Sequence, residues 1–249
     1  MNFQNYLNLC DFKQKIPDDI KLNNIISEIK KQPTKILNSE EINQLYYYEI
    51  PEQTNDGVCS RSGKLAKEKF NLAKVIFDKN IEANDQESTL ANNPNTQRLW
   101  KLNQSLKSLK EIIGNGADWA GIYRIIKSDS DDPFLIKEAY YGEPSRPIFP
   151  LDQDFQKRSN NSYVATHGKC RILNDIDSII ENQDSDAIYY MCSAKVKSEL
   201  CSPIFFNHQI VGIIDVESWQ KNYFNLERIL QVMKFCFDLG EENIFLKQN

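Results

Sequence analysis

The sequence predicts an α+β protein: an antiparallel sheet flanked by N- and C-terminal helices, preceded by a helical N-terminal extension. Three observations predict it. Apolar residues recur at helical spacing in two stretches between residues 62 and 113. They do so again over 224–245. Between these stretches runs a series of short segments rich in Ile, Val and aromatic residues, divided by Asn, Asp, Gly and Pro, which reads as a meander of strands. Helices packed on a sheet of this kind make an α+β layer.

Taken in order, residues 1–60 are polar and weakly patterned. Ile20, Ile25, Ile26 and Ile29 suggest one short amphipathic helix, ended by Pro33. Ser39-Glu-Glu-Ile begins another that runs toward Tyr46, Tyr47 and Tyr48, a cluster best read as cover for the main domain. Pro51 to Gly57 reads as a linker, so residues 1–60 form the extension and 61–249 the main domain. From Ser62 a helical face carries Leu65, Phe70, Ala73, Ile76 and Phe77. After a polar loop, a second helix carries Leu99, Leu102, Leu106, Leu109, Ile112 and Ile113, and Gly114-Asn-Gly116 stops it.

Strands follow. Trp119 to Ile126 puts Trp119, Gly121 and Tyr123 on one face. Phe134 to Tyr141 is the next strand, and the prolines of 144–150 allow only an edge segment. Asn161 to His167 reads as a short helix closed by Gly168, Cys170 to Leu173 as a short strand, and Asp175 to Glu181 as a capped helical turn. A polar loop, 182–191, leads to Cys192. Glu199 to Phe206 and Gln209 to Glu217 are strands joined at Asn207 and His208. Leu226, Ile229, Leu230, Met233, Phe237 and Ile244 mark the closing helix.

The last hairpin holds the chemistry. Glu199 opens an apolar strand, and Asp215 and Glu217 close another. Carboxylates are rarely set in such strands. A two-residue turn would put Glu199 on the face opposite Asp215. A three-residue turn, 207–209, would pair Phe206 with Ile210, Cys201 with Asp215 and Glu199 with Glu217, and would gather the three acids and Cys201 on one face. The second register separates acid from apolar residues and is preferred. The acids then read either as exposed strand ends or as the acidic wall of a pocket, with Cys192 on the loop that enters it.

Composition narrows the classes. With 41% hydrophobic and 26% charged residues the chain reads as a globular protein able to bury a sizeable core. A net charge of −5 argues against a nucleic-acid or anionic-membrane partner. No apolar run approaches the roughly 18–20 residues of a membrane span. The first residues lack a basic region followed by an apolar core, so a cytoplasmic, reducing setting is expected. Six scattered cysteines read as free thiols. No cofactor fingerprint and no metal-ligand spacing stand out, and His167 and His208 have no placed partner for a cysteine hydrolase.

These residues carry a resemblance. The helix, the Trp119-Ala-Gly-Ile-Tyr123 strand, the Ser198-Glu199 strand with Pro203, the strand with Gly212, Asp215, Glu217 and Ser218, and the terminal helix resemble a GAF (PAS-like) domain over roughly residues 95 to 245. Within that superfamily the chain is most similar to the free methionine-(R)-sulfoxide reductases. The resemblance implies that Cys192 is the nucleophile, passing through a sulfenic acid. It implies that Glu199, Asp215 and Glu217 hold the substrate amino group and protonate the sulfoxide oxygen, and that Trp119 and Tyr123 wall the pocket beside the S-methyl group. It implies an external thiol reductant such as thioredoxin, and pairing of two copies through terminal helices. Two further cysteines usual in that family are absent here, at SRPIFPL and at KRSNNSYVA. Cys201 is then a candidate resolving thiol, and a direct external thiol is the other route. The alternative is a non-catalytic GAF module that binds a small molecule or dimerises as a sensor.

Overall fold

The computed structural model of the chain describes residues 1–52, 64–77, 90–91, 93–127, 132–181 and 193–242. At its centre is a six-stranded sheet, every neighbouring pair antiparallel. Its strands are β3 (Trp119–Ile126), β4 (Phe134–Tyr141), β5 (Ile148–Pro150), β6 (Arg171–Leu173), β7 (Ser198–Phe206) and β8 (Gln209–Ser218), in the order β5-β4-β3-β8-β7-β6. This is the expected α+β meander, with β5 and β6 short at its edges.

One face of the sheet is covered by α1 (Phe3–Leu9), α2 (Ile25–Lys31), α5 (Pro94–Ile113) and α9 (Leu226–Glu241). Leu102, Leu106 and Leu109 of α5 and Leu230, Met233 and Phe235 of α9 pack on Ala120, Ile122, Leu200, Ile204, Ile214 and Val216. Both long helices start where their caps dictate. Asn93 accepts from the Asn95 amide ahead of Pro94, and Asn225 accepts from the Arg228 amide. The other face carries α6 (Gln153–Gln156) and α7 (Asn160–His167), which bury Phe155, Val164 and Ala165 against Trp119, Tyr123, Leu135, Phe149, Cys201 and Ile213. Gly168, in the left-handed conformation, stops α7 where the sequence places its end.

The N-terminal residues up to Tyr48 pack on this sheet and its helices, with Tyr6, Leu7, Ile25, Ile26 and Ile29 inside the same core. Asn38 and Glu41 form a reciprocal capping box that starts α3 (Ser39–Tyr46). Tyr46 bonds to Thr96 Oγ1 at 2.9 Å, and the Tyr48 hydroxyl donates to the Lys137 carbonyl at 2.9 Å. The tyrosine cluster thus covers α5 and β4. The helix α1 is absent from the sequence reading, because Tyr6 and Leu7 are too few to set a period. Its place is fixed by Tyr6, whose buried hydroxyl reaches Ser202 Oγ at 2.9 Å and the Pro203 carbonyl at 2.8 Å.

The helix expected from Ser62 is corrected. Leu65 bridges to Pro51 instead. β2 (Phe70–Asn71) pairs with β1 (Tyr47–Tyr48), with the Phe70 and Tyr48 rings 5.3 Å apart, and among the described residues of this stretch the helix is confined to Leu72–Phe77, α4. Cross-strand aromatic packing overrides a weak helical period here. The expected Asp175 cap is present on α8 (Ile176–Glu181), accepting from the Ser178 amide. The 182–191 loop lies outside the described residues. No described helix is long and apolar enough to cross a membrane.

Candidate functional site

The β7–β8 hairpin positions the acids, and its turn differs from the expected one. Asn207 and His208 both have positive φ, 47° and 62°, the signature of a two-residue type I′ turn. Phe206 therefore faces Gln209, and Phe205 rather than Phe206 faces Ile210 and enters the core. One extra residue on β8, Val211, bulges between Ile210 and Gly212. That bulge supplies the offset that a three-residue turn would have given. Beyond it, Cys201 faces Asp215 and Glu199 faces Glu217, the register preferred from sequence.

Glu199, Cys201, Asp215 and Glu217 consequently share the face that looks toward α7. Trp119 and Tyr123 join them from β3, which pairs with β8 through Trp119–Glu217, Gly121–Asp215 and Tyr123–Ile213. The acids are not exposed strand ends: Glu199 is 5% and Asp215 4% exposed. The two rings lie 6.4 Å apart, with Gly121 between them. Trp119 is anchored by Nε1, which donates to the Glu143 carbonyl at 3.1 Å, and the Tyr123 hydroxyl donates to the Arg146 carbonyl at 3.4 Å. These six sequence-predicted residues come together in one wall. Cys192, the seventh, lies outside the described residues; the chain resumes at Ser193, five residues before β7.

Electrostatics single out Asp215. Burial raises its pKa well above the ordinary carboxylate value, and the charges of Glu199 and Glu217 push the same way, against a hydrogen bond from Asn161 that lowers it. Its carboxyl therefore keeps its proton to a higher pH than an ordinary aspartate does. Cys201, wholly buried, is likewise pushed well above the usual thiol range by burial first and then by Asp215 and Glu199.

Asn161 is the residue that sequence reasoning missed. It stands in the first turn of α7, behind the Ser159 cap, and reaches down to the sheet. Its Nδ2 donates to Asp215 Oδ2 at 3.0 Å, and its Oδ1 accepts from the Cys201 thiol at 3.4 Å. The available signal was a run of polar residues opening a short helix that has to pack on an apolar sheet. Lys137, also unforeseen, is fully buried, with its ammonium over the rings of Tyr140 (4.1 Å), Tyr48 (5.0 Å) and Trp119 (6.0 Å). The histidines stay apart from the acids: His208 is in the hairpin tip, and His167 stacks on Tyr163 at the far end of α7. Among the described residues no group of His, Cys, Asp and Glu is arranged to hold a metal ion.

No protein-family model matches the chain, and neither does any curated protein. Solved structures do. The type II free methionine-R-sulfoxide reductase of Thermoplasma acidophilum is similar with a TM-score of 0.50 and 18% identity, over 61% of this chain and 98% of that one. The free methionine-R-sulfoxide reductase of Neisseria meningitidis, solved in complex with its substrate, gives 0.47 and 21%, over 62% and 81%. A GAF-domain structure gives 0.46 and 17%, over 60% and 76%. At these identities the likeness is one of fold, and this chain carries the α+β fold shared by GAF domains and free methionine-R-sulfoxide reductases.

Proposed function

We propose that this chain reduces free methionine-(R)-sulfoxide with a thiol, through a sulfenic acid on Cys192. The observation that carries the reading is the acidic wall: a buried Asp215 with a raised pKa, gathered with Glu199 and Glu217 beside Trp119 and Tyr123. Reduction of a sulfoxide calls for this set. The Cys192 sulfur attacks the sulfoxide sulfur while the sulfoxide oxygen takes a proton from Asp215. The S–O bond breaks, oxygen passes to Cys192 as a sulfenic acid, and methionine leaves. Two external thiols then return Cys192 to the thiol and form one disulfide and water. Glu199 and Glu217 supply the negative charge that recognises the ammonium of a free amino acid, and the two rings accept its S-methyl end.

The regenerating thiol comes from outside, from a thioredoxin-like protein or a small dithiol. Cys201 suits resolution poorly, because burial holds its thiol protonated and only the thiolate attacks. Peptide mapping after a single turnover without reductant checks this, since a Cys192–Cys201 disulfide would return Cys201 to the resolving role.

The test is turnover of L-methionine-(R)-sulfoxide, with the S epimer as control and dithiothreitol and thioredoxin as alternative donors. Turnover of the R epimer alone is expected, and Cys192→Ser is expected to abolish it with an unchanged circular dichroism spectrum. Activity surviving that substitution would remove Cys192 from its role. Absence of turnover with both donors would turn the reading to a GAF module that only binds its ligand.

A further inference from the structure

A buried carboxyl that donates a proton must keep that proton on one chosen oxygen, and the two oxygens of Asp215 have different surroundings. Oδ2 accepts from Asn161 Nδ2 at 3.0 Å. Oδ1 is buried and has no hydrogen-bond partner among the described residues. The asparagine cannot turn over freely to reverse this, because its own Oδ1 takes the Cys201 thiol at 3.4 Å. A protonated thiol has one hydrogen to donate and only a weakly accepting sulfur, so its bond to Asn161 Oδ1 favours the carbonyl end of the amide toward β7 and the NH₂ end toward Asp215. The chain of bonds runs one way, from Cys201 S–H to the Asn161 carbonyl and from the Asn161 amide to Asp215 Oδ2.

We propose that Asn161 is a positioning residue that assigns the two oxygens of Asp215 their roles, keeping Oδ2 as the accepting carbonyl and Oδ1 as the hydroxyl presented to the ligand. The proposal deepens the reductase reading, since Oδ1 then faces the sulfoxide oxygen. It also gives Cys201 a task other than resolution, namely holding the amide in orientation. The titratable groups facing Asp215 among the described residues are Glu199 and Cys201 on β7 and Glu217 on β8; from α7 the contact is the neutral amide of Asn161. No described cation reaches Asp215 to compete for its charge.

The readout is the infrared spectrum of the full chain with ¹³C-labelled aspartate, with Asp215→Asn subtracted to isolate this carboxyl. At neutral pH a protonated C=O band is expected, lowered in frequency by the bond it accepts. Asn161→Leu and Asn161→Ala both remove the donor, and either one that folds should move the band up toward that of a free carbonyl. Cys201→Ala should broaden it by freeing the amide to flip. In turnover, the Asn161 variants should lose about 10²-fold in kcat with KM little changed, and their kcat should decline at a different pH. A wild-type spectrum without the protonated band, or a band that does not move in the Asn161 variants, would overturn the proposal. A moving band in a protein without turnover would support the positioning role while removing the reductase reading, so the two failures are distinguishable.

Discussion

Replacing Gly121 with alanine tests the wall of aromatic and acidic side chains with a single methyl group. Gly121 lies between Trp119 and Tyr123, and opposite Asp215 across the β3–β8 ladder. A Cβ there would sit 2.5 Å from Trp119 Cη2 and 3.0 Å from Tyr123 Cε2. Carbon atoms settle at about 3.5–4.0 Å, so the indole has to retreat by roughly 1 Å. It has little room to do so, being 5% exposed and tied through Nε1 to the Glu143 carbonyl. Overpacking of this kind costs about 1–3 kcal/mol. In a chain of this size each kcal/mol lowers Tm by about 2–4 °C. A misplacement of about 1 Å in a wall that orients substrate costs up to about 10²-fold in kcat/KM. Urea denaturation and steady-state turnover of the R epimer measure both. The double variant Gly121→Ala with Trp119→Phe provides the control, because phenylalanine lacks the indole atoms Cη2 and Cζ2 that meet the new methyl. The added loss on top of Trp119→Phe should be smaller than the loss in the wild-type background, since only the Tyr123 contact at 3.0 Å remains. A Gly121→Ala protein with unchanged Tm and kcat/KM, or losses that simply add in the double variant, would refute the steric argument.

Two more outcomes follow from the buried charges. Glu138 has a fully buried side chain and is held by Arg98 Nη2 at 2.9 Å and Arg124 Nε at 2.7 Å; burial alone would raise its pKa, but the two guanidinium groups outweigh it and the net shift is downward from 4.5. A depressed folded-state pKa means stability present above the unfolded value and lost as pH falls through the folded one. Glu138→Gln is therefore expected to cost about 3–5 kcal/mol at neutral pH, with the gap to wild type closing on acidification; a urea-derived gap that stays level with pH would contradict it. Asp215 has the opposite sign. Its folded pKa is raised, so wild-type stability is fully present below the unfolded value and falls as pH rises through the folded one, by about 1.4 kcal/mol for each unit of elevation. Asp215→Asn should match wild type near pH 4, exceed its Tm increasingly toward alkaline pH, and lack turnover. A Tm difference that shrinks as pH rises would show that the carboxyl is ionised and satisfied.

Much of this arrangement is legible in sequence because it rests on period and composition. The α5 and α9 stripes, the Gly168 stop and the alternation of Trp119, Gly121 and Tyr123 all depend on neighbours a few residues away. The α4 error and the unseen α1 have the other cause. Phe70 follows Tyr48, and Tyr6 follows Ser202 and Pro203, and such distant partners leave no local trace. The hairpin lies between these cases. Segregation of acid from apolar residues gave the right register at Asp215, yet the turn is two residues long, because positive φ at Asn207 and His208 together with the Val211 bulge reaches the same offset. Asn161 was out of reach for a simpler reason: an amide acquires its meaning only from the carboxyl and thiol on either side of it.

The register that the fold requires is also the one that the site requires. On the helix side of β7, Leu200 and Ile204 meet α9, while Ser202 is bonded by Tyr6 from the extension. A slip of one residue would turn Glu199, Asp215 and Glu217 into that layer, among Leu230 and Met233, where each unpaired charge costs several kcal/mol. It would also break the Tyr6 bond and leave its hydroxyl buried and unmet. The packing of α1, α5 and α9 therefore enforces the orientation of three carboxylates on the opposite face, where α7 supplies one amide to Asp215 and its second oxygen is buried with no partner among the described residues. A fold selected for stability alone would have no reason to leave that oxygen without a partner. An apolar residue at position 215 would be cheaper, and the raised pKa of Asp215 reflects what the protein gives up to keep an acid there.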